Sequence, residues 1–292
     1  MRTIRAGLAG LLGASTLMAV SMTSSVNASA SSTPSISSCT TKVASEEITK
    51  GTLTVATDQP AYTPWFENNK PANGKGYESA LVYAIAKVLH VSKGNVKWVT
   101  EPFDASFAPG HKSFDFDINE ISYTAARAQV VTFSNSYYDV QQSIIALKTD
   151  KIVKAHSPAQ LKTYQYGDQV GTTGLSYIDK YIKPTRPVRV YPTLGDATAA
   201  LVSGAVDALV VDTPDGQYDA TSGITNSKNK LVATQVGQFP STGEHYGMLF
   251  QKGNALVGCV NAALATLKSN GTIASLQKKW LSIYTSIPTI KP

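Results

Sequence analysis

Asp196-Ala197-Thr198-Ala199-Ala200-Leu201-Val202-Ser203-Gly204-Ala205-Val206-Asp207-Ala208-Leu209-Val210-Val211-Asp212 carries the reading of the fold. Residues 196–202 read as a helix. Residues 207–211 read as a strand, and Asp212 stands at its carboxyl end. The same alternation runs outward in both directions. Upstream, strands are expected over 142–147, 166–170 and 188–191, with a short helix opening at 157–161 and a longer one over 172–182. Further back, Leu53-Thr54-Val55-Ala56 is a short buried strand. Residues 76–91 place Leu81, Val82, Ile85, Val88 and Leu89 at helical spacing. Strands over 96–99 and 114–118 and a short helix over 124–130 complete that half. Downstream come a strand over 246–251 and two helices, 255–269 and 272–283, split by the C-cap signal Asn270-Gly271. Strands alternating with helices predict an α/β fold with mostly parallel sheets. No internal repeat is evident.

Composition agrees with a folded chain of that kind. The 292 residues exceed one small domain and suit two lobes of roughly 100–150 residues each. With 42% hydrophobic and 16% charged residues the chain does not have the makeup of a disordered one. Two cysteines exclude a dense disulfide framework and a cysteine-rich zinc fold. Only the N-terminus resembles a membrane-directed segment. Arg2 and Arg5 precede an apolar run over 6–20, and Ala28-Ser29-Ala30 is a cleavage signal, so 1–30 reads as a signal peptide. A Ser-rich tail follows over 31–45. The net charge of +6 falls to +4 without Arg2 and Arg5, and the basic residues are scattered, so a nucleic-acid partner has no support. Export permits a disulfide, and Cys39 and Cys259 are expected to pair, the alternative being two free thiols. Ile36-Ser37-Ser38-Cys39 has some likeness to a lipobox, but it lies far beyond the apolar run, which favours a soluble periplasmic protein over a lipid-anchored one.

In open α/β sheets, ligands sit beyond the carboxyl ends of strands. The segments found there are Asp58 to Phe66, Asn119 to Thr124 with Arg127 close behind, Gly171-Thr172-Thr173-Gly174, and Asp212. Aromatics, one guanidinium, a hydroxyl-rich turn and an acid are the parts needed to hold a zwitterion.

Four blocks make the chain resemble the extracellular amino-acid-binding proteins of ABC importers, bacterial solute-binding protein family 3. They are Leu53 to Asp58 leading to Tyr62-Thr63-Pro64-Trp65, then Gly76-Tyr77-Glu78-Ser79-Ala80-Leu81. Next come Thr124-Ala125-Ala126-Arg127 with Phe133-Ser134 and Tyr137-Tyr138, and finally Val206 to Asp212. The resemblance runs from about Gly51 to the C-terminus. It implies a type II periplasmic-binding-protein fold of two lobes, each a mostly parallel sheet flanked by helices. Lobe one would be 46–139 plus 245–292 and lobe two 143–237, with hinge strands near 139–142 and 238–246 that close around a ligand. It further implies a monomer that captures a free amino acid and docks on membrane permease subunits, with no cofactor, metal or catalytic residue.

The same resemblance distributes roles. Arg127 would fork onto the ligand α-carboxylate, with Ser122 and Thr124 supplying donors beside it; capping of the helix is the plainer role for Thr124. Thr172 and Thr173 would bind that carboxylate from lobe two at a helix start. Asp212 would accept the α-ammonium, or else cap the helix after it. Tyr62 and Phe103 would sandwich the side chain, and Trp65 stands near them or in the core. The histidines, among them His90 on a helix and His156, show no metal spacing. Two departures stand out: the loop from Asp58 to Tyr62 is one residue longer than usual, and Asn119-Glu120 replaces a small pair. Glu120, with Asp58, would then meet a cationic or amide group of the ligand, favouring a polar or basic side chain; pairing with a protein cation is the alternative. A cyclohexadienyl-dehydratase-like enzyme using Glu120 as acid, and a sensor feeding a separate receptor, are the competing functions.

Overall fold

Each strand–helix unit in the sequence has a counterpart in the computed structural model, which describes residues 36, 38–39, 47–155, 157–281 and 287–290. These belong to one compact unit, 33–292. The signal segment, nearly all of the tail and His156 lie outside the described residues. In chain order the strands are β1 (Leu53–Thr57), β2 (Val96–Thr100), β3 (Phe116–Asp117), β4 (Val131–Phe133), β5 (Tyr138–Asp139) and β6 (Gln142–Leu147). They continue as β7 (Tyr166–Gln169), β8 (Arg189–Tyr191), β9 (Ala208–Asp212), β10 (Ala233–Gln238), β11 (His245–Tyr246) and β12 (Leu249–Gln251). The helices are α1 (Tyr77–Val88), α2 (Phe103–Ser106), α3 (Ala125–Val130), α4 (Pro158–Leu161), α5 (Thr173–Tyr177), α6 (Leu194–Val202), α7 (Thr213–Tyr218), α8 (Leu256–Ser269) and α9 (Thr272–Leu281).

The strands form two five-stranded sheets, ordered β2-β1-β3-β12-β4 and β10-β6-β9-β7-β8. The α/β reading holds, with one correction: the sheets are mixed. In the first, β1 runs parallel to β2 and β3, while β12 is antiparallel to β3 and β4. In the second, β7 is parallel to β8 and β9, while β6 is antiparallel to β9 and β10. The antiparallel members β6, β10 and β12 flank the two passages of the chain between sheets, where no crossover helix reverses its direction. Those passages lie side by side, with β5 and β11 pairing as His245↔Asp139 and Tyr246↔Tyr138.

Burial follows the strand period. In β9, Ala208 and Val210 enter one apolar cluster with Ile144, Tyr166, Ile178 and Phe239. Leu209 and Val211 enter another with Ile145, Ala197 and Leu201. Both faces of the second sheet are therefore covered, as a continuous apolar run requires. The first sheet packs Val55, Phe116 and Phe250 against Leu81 and Ile85 of α1 and Leu256 and Val260 of α8. Entry to α1 depends on Gly76. Its φ is +94°, and a Cβ there would sit 2.2 Å from the Trp65 carbonyl oxygen, so no other residue fits. Cys39 and Cys259 are bonded, with 5.4 Å between their Cα atoms.

Several boundaries differ from expectation. The 172–182 helix is α only over Thr173–Tyr177 and widens to a π-turn over Ile178–Ile182. The 246–251 strand is two short strands, β11 and β12. His90 lies beyond the end of α1, at φ +61°. The segment 287–290, expected with the first sheet, joins the second. Ile290 N–H donates to Gln238 O at 2.7 Å, Gln238 N–H donates to Pro288 O at 2.8 Å, and Ile290 is buried in the second sheet's core.

Candidate functional site

The carboxyl ends of β1, β3, β7 and β9 face one cavity of about 90 Å³, lined from both sheets. Of the residues singled out by sequence, Asp58, Tyr62, Phe103, Asn119, Glu120, Ser122, Arg127, Thr172, Thr173 and Asp212 form its wall together. Two do not. Trp65 is fully buried in the core, in edge contact with Tyr77, Tyr138 and Tyr246; its indole N–H donates to Asp215 Oδ1 at 2.5 Å. Thr124 is the N-cap of α3, its hydroxyl accepting from Arg127 N–H at 3.1 Å, and it faces a neighbouring surface hollow.

Arg127 projects from the first turn of α3 and is 7% exposed. Its Nη1 donates to Ser122 O at 2.6 Å and its Nη2 to Gly171 O, on the opposite sheet, at 2.9 Å. The guanidinium carbon lies 4.3 Å from the Phe107 ring centre and 5.5 Å from that of Phe103. Burial lowers its pKa to about 10, against the opposing pull of Asp212 and Glu244, so it stays charged at neutral pH.

Asp212 closes β9 and begins α7, yet its carboxylate caps no backbone N–H. It accepts instead from the Tyr246 hydroxyl and the Gln142 amide. Burial and the neighbouring Glu244 raise its pKa to about 7. Glu244 in turn accepts from the Ser122 hydroxyl at 2.6 Å. Thr172 caps α5, accepting from Leu175 N–H at 3.1 Å and donating to Gln169 O at 2.9 Å. Thr173 Oγ1 accepts from Gln142 Nε2 at 3.3 Å. Gly174 must be glycine: a Cβ would meet the Val210 carbonyl oxygen at 2.1 Å.

Glu120 sits at the cavity floor in left-handed backbone, φ +52°, where a residue with a Cβ is strained. Its N–H donates to Glu78 Oε1 at 2.9 Å, and Glu78 also takes the Tyr137 hydroxyl bond. Among the described residues the Glu120 carboxylate has no hydrogen bond and no cation, so the expected pairing alternative is absent. Burial first, then Asp215, Glu78, Asp212 and Asp58, push its pKa well up. Asn119 Nδ2 and Asp168 Oδ2 are buried without partners at the same wall.

Sequence reasoning missed Asp168, Asp215, Gln142, Glu244 and Phe107. Asp215 was findable, standing three residues after Asp212 at helical spacing, and Phe107 four after Phe103. Gln142 opens β6 and Glu244 lies in the second passage between sheets, just before β11; neither carries a local signal. Together the cavity presents five carboxyls, from Asp58, Glu120, Asp168, Asp212 and Asp215, to a single guanidinium. Among the described residues no group of side chains could hold a metal ion.

Comparison with known proteins agrees with this architecture. The arginine-binding periplasmic protein of Mannheimia haemolytica is 27% identical over 225 residues, covering 76% of this chain and 89% of its own. The ABC transporter glutamine-binding protein GlnH of Bacillus subtilis is 27% identical over 257 residues, covering 82% and 87%. The solved structure of an ancestral arginine-binding protein bound to arginine superposes with a TM-score of 0.67 at 29% identity, covering 80% of this chain and 99% of that one. The family model for bacterial extracellular solute-binding proteins, family 3, matches residues 53–283. A match over that share of the chain, on a cleft walled by two α/β sheets, makes this protein a member of the bacterial extracellular solute-binding proteins, family 3.

Proposed function

We propose that the protein captures a free basic amino acid outside the cytoplasmic membrane and delivers it to an ABC permease. Arg127 takes the α-carboxylate, with Ser122, Thr172 and Thr173 contributing donors, and Asp212 takes the α-ammonium. Tyr62 and Phe103 flank the side chain, while Asp58, Glu120 and Asp215 draw its positive end. The observation that carries this reading is the ratio of five carboxyls to one guanidinium on a single cavity wall. A neutral ligand would leave those carboxyls buried and uncompensated, which is costly. The relatives named for arginine support the same choice of ligand.

On this reading the lobes are hinged at the two passages near 139–142 and 238–246, and ligand closes them. The Arg127 bond to Gly171 O and the Trp65 bond to Asp215, each joining segments of opposite lobes, are contacts that closure forms. The protein acts as a periplasmic monomer and carries out no chemistry. A dehydratase acting on a dicarboxylic acid such as prephenate would have to place two anions against this acidic wall.

Thermal unfolding of the mature protein, refolded free of carried-over ligand, tests the reading against the twenty amino acids, ornithine, citrulline and prephenate. A ligand at 100 times its Kd stabilises by about 2.7 kcal/mol. Selective shifts from arginine, lysine and ornithine support the proposal. Shifts from acidic or apolar amino acids alone, or from prephenate, would overturn it.

A further inference from the structure

The cavity does not end at the amino-acid clamp. Tyr62, Leu194 and Asp215 are shared with an adjoining chamber of about 170 Å³, larger than the clamp itself, whose far wall holds Tyr218 and Asp219. Asp212, Asp215 and Asp219 follow one another along α7 and the π-turn Asp219–Gly223 that continues it. Asp212 and Asp215 line the clamp, and Asp215 and Asp219 line the chamber, so the three carboxyls lead from one to the other. Asp215 is held in place by the Trp65 indole. Asp219 has no hydrogen bond or ion pair among the described residues, though it lines the chamber, and burial alone raises its pKa to about 7.

We propose that this chamber is a distal subsite, in which Asp215 and Asp219 bind the cationic end of a long basic side chain and select ligands by side-chain length. This rests on the reading of the cavity as a clamp for a basic amino acid. With the α-ammonium at Asp212, a short diamino acid spans only the step to Asp215. A guanidino acid with three or four methylenes passes between Tyr62 and Leu194 and reaches Asp219. The aromatic and aliphatic walls cover the stem, and the carboxyl at the end supplies the charge that a methylene chain alone cannot recognise.

The test is a calorimetric series on the mature protein: 2,4-diaminobutyrate, ornithine, lysine, arginine and homoarginine. Affinity is expected to rise at least tenfold from the shortest to the longest. Asp219→Asn is expected to remove at least tenfold of that preference, and Asp219→Glu to keep most of it. A flat series in the unsubstituted protein, or an undiminished slope in Asp219→Asn, overturns the distal subsite while leaving the clamp intact. Should Asp219→Asn fail to fold, the unsubstituted series decides alone. Binding of none of these compounds overturns the clamp and the subsite with it.

Discussion

Binding of a basic amino acid should be coupled to proton release, and the coupling can be worked from Asp212. Burial and Glu244 raise this carboxyl to about 7, against the Tyr246 hydroxyl, the Gln142 amide and Arg127, which favour its charged form. Only the carboxylate can accept an ammonium. At pH 6 a group with a pKa of about 7 is roughly nine-tenths protonated, so ligand must displace about one proton. Affinity is therefore expected to fall about tenfold, or 1.4 kcal/mol, for each unit of pH below 7. Isothermal titration with arginine at pH 6, in two buffers of different ionisation enthalpy, measures the protons released. Affinities at pH 5.5, 6.5 and 7.5 give the slope. Asp219, also raised to about 7 by burial, adds a second proton if the side chain reaches it.

The sign for folding is opposite in the free protein. An unfolded Asp titrates near 3.9, so Asp212 and Asp219 bind protons more readily folded than unfolded. Their favourable contribution is fully present below about 4 and is lost as pH rises through 7. The melting temperature of the free protein is expected to rise on acidification from pH 8 to 5.5, and saturating arginine to reduce that rise. If arginine binds with no proton released and with affinities within twofold between pH 5.5 and 7.5, Asp212 is not the ammonium partner.

Substitutions at Arg127, at the Cys39–Cys259 pair and at Glu120 address the rest. Arg127→Lys replaces the guanidinium fork proposed to grip the ligand carboxylate, and with it the bonds to Ser122 O and Gly171 O. Loss of about two charged hydrogen bonds, roughly 3–4 kcal/mol, should weaken binding by about 10²–10³-fold in calorimetry while the charge is kept. Cys39→Ser with Cys259→Ser opens a loop of sequence separation 220; by chain entropy this lowers stability in denaturant by up to about 5 kcal/mol. Glu120→Gly relieves the left-handed backbone at φ +52° and should stabilise the free protein by about 1 kcal/mol or more. It should also weaken arginine at least tenfold, and Glu120→Gln should shift preference from arginine towards glutamine; unchanged affinity and preference in both would remove Glu120 from the site.

The alternation of strand and helix was legible because β1, β6 and β9 are short apolar runs that bury both faces. Two strands without such runs were not. Tyr138–Asp139 spans two residues, and Ala233–Gln238 is polar and bulged between Gln235 and Gly237. Strand direction was misjudged because it depends on how the chain passes between sheets, which no local pattern records. Arg127 and Asp212, the proposed clamp, stood out through their motifs. Gln142 meets Asp212 as its register partner across the β6–β9 ladder, and Glu244 joins them only when two passages, far apart in sequence, pair as β5 and β11.

The residues that break local rules point in one direction. The whole chain carries a net charge of +6, yet its cavity gathers five carboxyls around one guanidinium. Glu120 holds a backbone conformation suited to glycine and buries an acid with no partner. Asp168 and Asn119 leave buried polar atoms unbonded at the same wall. Each is unfavourable for the empty protein, through strain, desolvation or repulsion. A neutral or acidic ligand could pair Asn119 or Asp168 but brings no cation to the carboxyls. A ligand with a second positive charge relieves several at once, since its cation can compensate carboxyls that otherwise retain protons. On the proposed reading, the stability given up in the free state is recovered on binding, and selectivity for a basic side chain follows from the acids' lack of protein partners.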